Sequence, residues 1–127
     1  MNFSQDTNEA NSRIHAYTED YFVINEFKFD CHCQLHRDGL TDKWQPLNIA
    51  DLQISDFKSL LDCQPEVLIL GTGATLKFPQ STLRQQFAEH KIGLEVMDTG
   101  AACRTYNILL SEGRNVAAAL LLSGITL

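Results

Sequence analysis

The stretch that decides the fold is Val67-Leu68-Ile69-Leu70-Gly71-Thr72-Gly73. A run of consecutive apolar residues that ends at glycines is typical of a strand buried on both faces of a sheet. Residues 81–90 follow as a predicted helix, because Leu83 and Phe87 are spaced to share one face and Gly93 supplies a stop. Together they form the start of a βαβ unit.

The residues that follow repeat this alternation. Residues 94–97 are the next predicted strand, Thr99 is the expected N-cap, and residues 101–112 form a helix that ends at Gly113. Residues 116–122 are a final apolar strand. Strand, helix, strand, helix, strand in this order predicts a C-terminal βαβαβ half with parallel strands and right-handed crossovers.

The N-terminal half has a different pattern, with a period of two across residues 21–36. We predict one half-buried strand of an antiparallel sheet there. Residues 37–42 have turn chemistry and residues 43–46 return as a short strand, which predicts an N-terminal β-hairpin. A short helix follows Ser55. The side chains predicted to face the core are Phe27, Phe29, Cys31, Cys33 and Leu35, and those predicted to face water are Lys28, Asp30, His32, Gln34 and His36.

The chain has 127 residues, of which 44% are hydrophobic and 20% charged, and this composition suits one globular domain. Residues 1–12 are polar and aperiodic, so we expect a flexible N-terminus followed by a single α/β domain at residues 13–127. We expect one core. Its predicted members are Phe27, Phe29, Leu35, Val67, Ile69, Leu94, Val96, Tyr106, Leu109, Leu120 and Leu122.

The charge is acidic, with 10 basic and 16 acidic residues and a net charge of −6. This argues against nucleic acid as a partner, because phosphate binding needs a basic surface. Residues 1–65 carry the excess, with 11 acids and 5 bases. No stretch approaches the roughly 20 apolar residues of a membrane span, and the first residues lack the features of a signal peptide. We therefore expect a cytoplasmic protein with no membrane insertion.

Cys31, His32, Cys33 and His36 invite comparison with a zinc site, which needs four converging ligands. On an extended strand the thiols face one way and the imidazoles the other, so these side chains cannot close around one ion. Parallel side chains also disfavour a disulfide between Cys31 and Cys33. We expect all four cysteines of the chain to be reduced, with no metal and no cofactor.

Gly71 and Gly73 begin a partial dinucleotide-binding fingerprint. Asp98 lies at the end of the following strand, where a ribose-binding carboxylate would be. Leu76 replaces the third glycine, and residues 77–79 delay the helix. The alternatives are a nucleotide site and a tight strand-to-helix turn, and the missing glycine favours the turn.

The segment 98–107 is the most informative for binding. A helix N-terminus offers free N–H groups and a partial positive charge, and Arg104 adds a forked cation. Loops that follow parallel strands gather at one edge of a sheet, so residues 71–75 and 98–107 should form a crevice. The candidate ligand-binding residues are Gly71, Gly73, Asp98, Thr99, Arg104 and Asn107.

Structural roles explain the same residues without a ligand. Thr99 can cap the helix, Arg104 can pair with a surface acid, and Asn107 can hydrogen-bond a neighbouring loop. Cys103, in the first helical turn, is either a nucleophile with a lowered pKa or a buried small side chain. No histidine lies nearby in the sequence, which favours the buried role, and we assign no catalytic residue.

Several motifs of the chain resemble a known family. They are Pro65-Glu66-Val67-Leu68-Ile69-Leu70-Gly71-Thr72-Gly73, Glu95-Val96-Met97-Asp98-Thr99-Gly100-Ala101-Ala102-Cys103-Arg104-Thr105-Tyr106-Asn107-Ile108-Leu109-Leu110, Trp44-Gln45-Pro46, and Glu112-Gly113-Arg114-Asn115-Val116-Ala117-Ala118-Ala119-Leu120. The family is that of small, mostly uncharacterised Mth-type domains, which includes the adipogenesis-associated Mth-domain protein and mitochondrial complex I assembly factor three. The resemblance spans about residues 14–122.

The resemblance implies a compact three-layer α/β domain with a mixed central sheet, in which one strand runs against the others. It implies no established enzymatic activity, and eukaryotic relatives are described as assembly or regulatory factors. The first functional hypothesis is therefore a non-enzymatic binding or assembly-factor-like domain with a protein partner. The alternative is a domain that binds a small anionic ligand, or an enzyme, using the crevice at residues 71–75 and 98–107.

Overall fold

The computed structural model describes residues 11–125. Its helices are α1 (Lys58–Asp62), α2 (Ser81–Glu89) and α3 (Thr99–Ser111), and two short 3₁₀ segments lie at Ile49–Asp51 and Ile54–Phe57. Its strands are β1 (Ile14–Tyr17), β2 (Phe22–Ile24), β3 (Phe27–Phe29), β4 (Cys33–His36), β5 (Thr41–Lys43), β6 (Val67–Gly71), β7 (Gly93–Met97) and β8 (Val116–Leu120). Among these residues, none of the helices has the length and apolar character needed to cross a bilayer.

A mixed five-stranded sheet lies at the centre, in the order β5-β4-β8-β6-β7. β6 runs parallel to both β7 and β8, whereas β4 pairs antiparallel with β8 and with β5. The predicted N-terminal hairpin is the β4–β5 pair, although its return strand is Thr41–Lys43 and not residues 43–46. The predicted βαβαβ half is β6-α2-β7-α3-β8. The mixed central sheet and the α/β class are thus confirmed.

The two central strands divide their side chains between two hydrophobic cores. In β6, Val67 and Ile69 point into a first core, and Leu68 and Leu70 point into a second. β8 alternates in the same way, and its five residues are all buried. The run of apolar residues in β6 is therefore explained as predicted: both faces of the sheet are covered, so successive side chains are buried.

Three layers result from this arrangement. The first core lies between the central sheet, α3 and a separate antiparallel sheet of β1, β2 and β3. The second lies between the central sheet, α1, α2 and the 3₁₀ segments. The crossover from β6 to β7 passes over the second core and the crossover from β7 to β8 passes over the first, so β7 and β8 lie on opposite sides of β6.

The prediction of one strand over residues 21–36 is wrong. Three strands replace it, because Asn25 adopts a left-handed conformation (φ 57°) that reverses the chain between β2 and β3. Phe27, at this reversal, is 68% exposed and is not a core residue. The prediction of a single core is also wrong, because the described residues form two cores and Leu94 lies in the second.

The polar face predicted for β4 is buried instead of solvated. His32, Gln34 and His36 are each at most 4% exposed, because β4 lies between β5 and β8 and is covered on both faces. Each side chain has a hydrogen-bond partner: Gln34 Nε2 donates to Asp56 O, His36 Nε2 bonds Asn115 Oδ1, and His32 Nδ1 accepts from Leu122 N. Burial of Gln34 and His36 is tolerated because these bonds pair their polar groups, whereas His32 keeps one ring nitrogen, Nε2, without a partner among the described residues.

The N-terminus carries a strand that the sequence pattern does not reveal. β1 pairs antiparallel with β2, and its register shifts between Ile14 and Ala16. Of the flexible terminus predicted at residues 1–12, residues 1–10 lie outside the described residues. Ser12 is buried, and its hydroxyl donates to Leu40 O.

We predict that Ile69→Ala lowers the free energy of unfolding by about 2–5 kcal/mol, the usual cost of truncating a fully buried large side chain. Ile69 has no exposed surface and lies in β6 between β7 and β8. Leu76→Ala, at a side chain that is 49% exposed, is the control and should change stability little. Urea denaturation of both variants measures the difference. Equal stabilities would show that β6 is not part of the core.

Candidate functional site

The loops that follow β6 and β7 lie against each other, as the topology requires. Gly73 N donates to Thr99 Oγ1 at 2.8 Å, and Thr99 N donates back to Gly73 O at 2.9 Å. The Thr99 hydroxyl also donates to Leu121 O at 2.7 Å, in the segment that follows β8. One buried hydroxyl therefore joins the carboxyl ends of three parallel strands.

Asp98, and not Thr99, caps α3. The Asp98 carboxylate accepts a hydrogen bond from Ala101 N at 2.9 Å, and the helix begins at Thr99. The prediction that Thr99 is the N-cap is wrong because its hydroxyl is used between the loops. With Thr99 N bonded to Gly73 O and Ala101 N bonded to Asp98, two N–H groups at the start of α3 already have partners.

Gly71 allows the close approach of α3 to β6. A Cβ atom at this position would lie 3.0 Å from each of three atoms, in Ala102, Leu120 and Thr99. Such distances are too short for comfortable packing, so a larger residue would push the helix away from the sheet. Gly73 has a φ of 96°, which glycine adopts without strain. Both glycines thus have structural causes.

Asn107 clasps β1. Its Nδ2 donates to Ile14 O at 2.7 Å, and its Oδ1 accepts from Ile14 N at 3.1 Å. The amide therefore satisfies both backbone groups of one residue, as a neighbouring strand would. Tyr106, on the adjacent position of α3, donates its hydroxyl proton to Ser12 O.

Arg104 is the one predicted site residue whose charged group is exposed. It lies on the outer side of α3, and its guanidinium takes part in no ion pair among residues 11–125. Its Nη1 and the Asp98 carboxylate both lie beside Gly100. The structure thus brings Gly71, Gly73, Asp98 and Thr99 together at one edge of the sheet, whereas Asn107 faces β1. The role of these residues in binding a ligand stays a prediction.

An open pocket of about 620 Å³ lies on the other side of the Gly71–Gly73 turn, beyond the carboxyl ends of β6 and β8. The loop after β6, the segment after β8, the start of β4 and the first 3₁₀ segment form its walls. Its lining residues are His32, Leu47, Asn48, Ile49, Ala50, Thr72, Gly73, Ala74, Thr75, Lys77, Phe78, Leu121, Leu122, Ser123 and Ile125.

His32 is the polar group of this pocket that lacks a full set of partners. Leu122 N donates to its Nδ1 at 2.9 Å, so the neutral ring carries its proton on Nε2. Within the described part of the chain, that Nε2 is buried and has no hydrogen-bond partner. Burial lowers the pKa of His32 below its ordinary value of 6.5, which keeps the ring neutral at pH 7. The period-two pattern assigned His32 to water, so sequence analysis missed it.

The loop after β6 is shaped by Thr72. Its hydroxyl donates to Thr75 O at 2.7 Å and accepts from Lys77 N at 3.1 Å. This bonding folds residues 72–77 into a compact turn and places Lys77 on the pocket wall. Among the described residues that line the pocket, Lys77 is the only one that carries a formal charge at pH 7 when His32 is neutral.

Two large apolar side chains stand at the entrance of the pocket. Leu47 is 86% exposed and Phe78 is 67% exposed. We call this pair the apolar rim. Below it, the pocket wall contains the buried side chains of Ile49, Leu121 and Leu122.

The four cysteines are free thiols. Cys31 Sγ and Cys33 Sγ are 3.9 Å apart. Burial raises the pKa of Cys103 to about 12, and the nearby Arg104 offsets this effect only in part. Such a thiol is protonated at pH 7, which disfavours a nucleophilic role. In the part of the chain that the structure describes, no three His, Cys, Asp or Glu side chains are grouped so as to hold a metal ion.

Fold and pocket together define a class, a small three-layer α/β domain with an open pocket at the carboxyl edge of a mixed sheet. Residues 14–121 match the family model described as "Protein of unknown function (DUF498/DUF598)". The chain belongs to this family.

Relatives and solved structures agree with this assignment. The chain is 32% identical over 114 residues to a Danio rerio protein named NADH dehydrogenase (ubiquinone) 1 alpha subcomplex assembly factor 3; the match covers 88% of this chain and 65% of that relative. It therefore spans less than two thirds of the relative's length. A crystal structure of a Bordetella parapertussis protein is similar at 33% identity and a TM-score of 0.81, covering 89% of this chain and 97% of that one. A Bordetella pertussis structure described as an Mth938-like domain is similar at 28% identity and a TM-score of 0.80, covering 100% and 96%.

We predict that Thr99→Val lowers the free energy of unfolding by at least about 1–3 kcal/mol, because it leaves Gly73 N–H and Leu121 C=O without their buried partner. Thr105→Val, on the same helix, is the matched control and should cost much less. Thr99→Ser keeps the hydroxyl and should restore most of the loss. Chemical denaturation of the three variants measures the difference. Equal losses for Thr99→Val and Thr105→Val would contradict the role of the hydroxyl.

Proposed function

We propose that the protein binds a partner protein in the manner of an assembly factor and does not act as a catalyst. The observation that carries this proposal is the apolar rim, Leu47 and Phe78, which stands exposed at the mouth of an apolar pocket. A protein surface that offers large apolar side chains around a concave centre is suited to burial against a partner.

The apolar rim differs from the other exposed apolar side chains of the described residues. Phe27 and Ile108 are also more than half exposed, but neither borders the pocket. Single exposed apolar residues are common on monomeric proteins and need no function. The rim, in contrast, is continuous with the buried wall of the pocket. A partner side chain that entered the pocket would therefore be removed from contact with water.

The charges beside the rim indicate the chemistry of the partner. A shallow groove continues from Leu47 and Asn48 along Asp51 and Asp56, both of which are exposed. Residues 1–65 also hold the whole acidic excess of the chain. We infer a partner segment with apolar side chains for the rim and lysine or arginine beside them for the groove, since complementary charge speeds and orients association.

The names of relatives support the same proposal. The Danio rerio relative carries the name of an assembly factor, and its similarity to this chain extends over residues of both cores and of the pocket edge. An assembly factor acts by contacts with other proteins. The proposal also keeps the cytoplasmic location expected from the sequence, and four free thiols suit a reducing compartment.

The second candidate function is the binding of a small anion, with or without catalysis, at residues 71–75 and 98–107. One observation favours it: the exposed Arg104 guanidinium, beside the start of α3, has no ion-pair partner among the described residues. The Asp98 carboxylate lies beside Gly100, as Arg104 does, and its negative charge would repel a bound anion. Arg104 separates the two candidate functions experimentally because it lies outside the pocket.

To test partner binding, we would isolate proteins from native lysate with the wild type, with the double variant Leu47→Ser/Phe78→Ser, and with Ile108→Ser. We expect a protein that the wild type and Ile108→Ser retain and that the double variant loses, because only the double variant removes the rim. With that partner purified, the double variant should lose about 2 kcal/mol or more of binding free energy, the scale of an interface hot spot. Retention of the same proteins by all three baits would exclude the rim as the binding surface.

To test the anion site, we would titrate phosphate and acetate into wild type, Arg104→Ala and Arg13→Ala and follow amide shifts by NMR. If the anion binds at α3, Arg104→Ala should weaken binding by about 1–3 kcal/mol, the scale of a charge-assisted hydrogen bond. Arg13 is also exposed, and its loss should have no effect. Scattered shifts, or identical shifts in the three proteins, would remove this candidate.

A further inference from the structure

We propose that the pocket at the carboxyl ends of β6 and β8 binds a small amphipathic carboxylate, whose head meets His32 and Lys77 and whose apolar body lies along Leu121, Leu122 and Ile125. This site uses the interior of the same pocket whose apolar rim is the proposed partner surface, and the variants that test the two proposals are different.

His32 supplies the first reason. The ring is 1% exposed and lines the pocket, and the Leu122 N–H fixes its tautomer so that Nε2 carries a proton. No described residue accepts that proton. A buried donor without an acceptor costs free energy, which a ligand oxygen would recover. The pocket therefore selects a group that accepts hydrogen bonds.

The charge of the pocket supplies the second reason. Lys77 lines it, and neither aspartate nor glutamate is among the lining residues within 11–125. The charge of Lys77 is thus opposite in sign to the net charge of the protein, which is −6. An acceptor that also carries negative charge gains from Lys77 as well as from the His32 donor.

The apolar wall decides between a bare anion and an amphipathic one. Leu121 and Leu122 are buried and Ile125 is half-buried, and all three line the same cavity as the polar groups. An inorganic anion would leave the half-buried Ile125 of this wall in contact with water. The volume of about 620 Å³ is within the roughly 300–1,000 Å³ that is usual for small-molecule sites.

The topology places the pocket where open α/β sheets bind ligands. The strand order reverses at β6, because β7 lies on one side of it and β8 on the other, with their crossovers on opposite faces. Crevices outside the carboxyl ends of strands at such a reversal are the general location of ligand sites in these sheets. The sequence placed the crevice between β6 and β7, whereas the open space lies between β6 and β8.

The test uses octanoate as the probe, with 1-octanol and inorganic phosphate as matched comparisons, on the full chain labelled with ¹⁵N. We expect octanoate to bind saturably and to shift the amides of residues 72–75 and 121–125 together with the His32 Nε2–H signal. 1-Octanol lacks the charge and phosphate lacks the apolar body, so each should bind roughly tenfold more weakly or worse.

Lys77→Gln is the variant of choice because Lys77 is exposed and bonds Thr72 through its backbone N, with no ion pair to another described residue. It should weaken octanoate binding about tenfold, the loss of one charge-assisted contact, and leave 1-octanol binding unchanged. Lys91→Gln, an exposed lysine outside the pocket, is the control and should bind octanoate like the wild type.

Three results would overturn the proposal. Equal binding of octanoate and 1-octanol would show an apolar pocket without a carboxylate site, and equal binding of phosphate would show a plain anion site. Absence of saturable shifts would show that the pocket does not bind an amphipathic carboxylate. None of these results bears on the partner surface, since the rim variants test that surface separately.

Discussion

The hydroxyl of Thr99 is the interaction on which the functional edge of this protein depends. It accepts from Gly73 N and donates to Leu121 O, so the loops after β6 and β8 are each held by the residue that starts α3. Both loops are walls of the pocket. The same contact requires α3 to lie very close to β6, which the absence of a side chain at Gly71 permits. The shape of the pocket thus follows from one buried hydroxyl and one glycine.

The C-terminal half of the fold could be predicted because its sequence pattern has one physical interpretation. A strand covered on both faces must be apolar at successive positions, and Val67, Leu68, Ile69 and Leu70 satisfy this condition. The three strands that lie between residues 21 and 36 could not be predicted in the same way. Alternation of apolar and polar residues does not reveal whether the polar side meets water or meets buried partners, and Gln34 and His36 meet partners on distant segments.

The candidate site shows the same limit. The sequence predicts that residues 71–75 and 98–107 meet, because loops after parallel strands share an edge of the sheet. It does not predict that Thr99 closes the space between them, or that the open pocket lies towards β8. Leu47 and His32 reach this pocket through the antiparallel half of the sheet, which no local pattern connects to β6.

The pair of hydrogen bonds between Asn107 and Ile14 affects how the protein unfolds locally. The sheet of β1, β2 and β3 is separate from the central sheet, so no continuous backbone ladder joins the two. Two isolated backbone hydrogen bonds, Ser12 N to Arg37 O and Gly124 N to Glu19 O, join the two parts, and the side chains of Asn107 and Tyr106 in α3 add further polar ties to the first segment of the small sheet. The small sheet can therefore detach as one cooperative unit while the central ladder stays closed, and its amides will exchange with solvent at a lower free energy than those of β6 and β8.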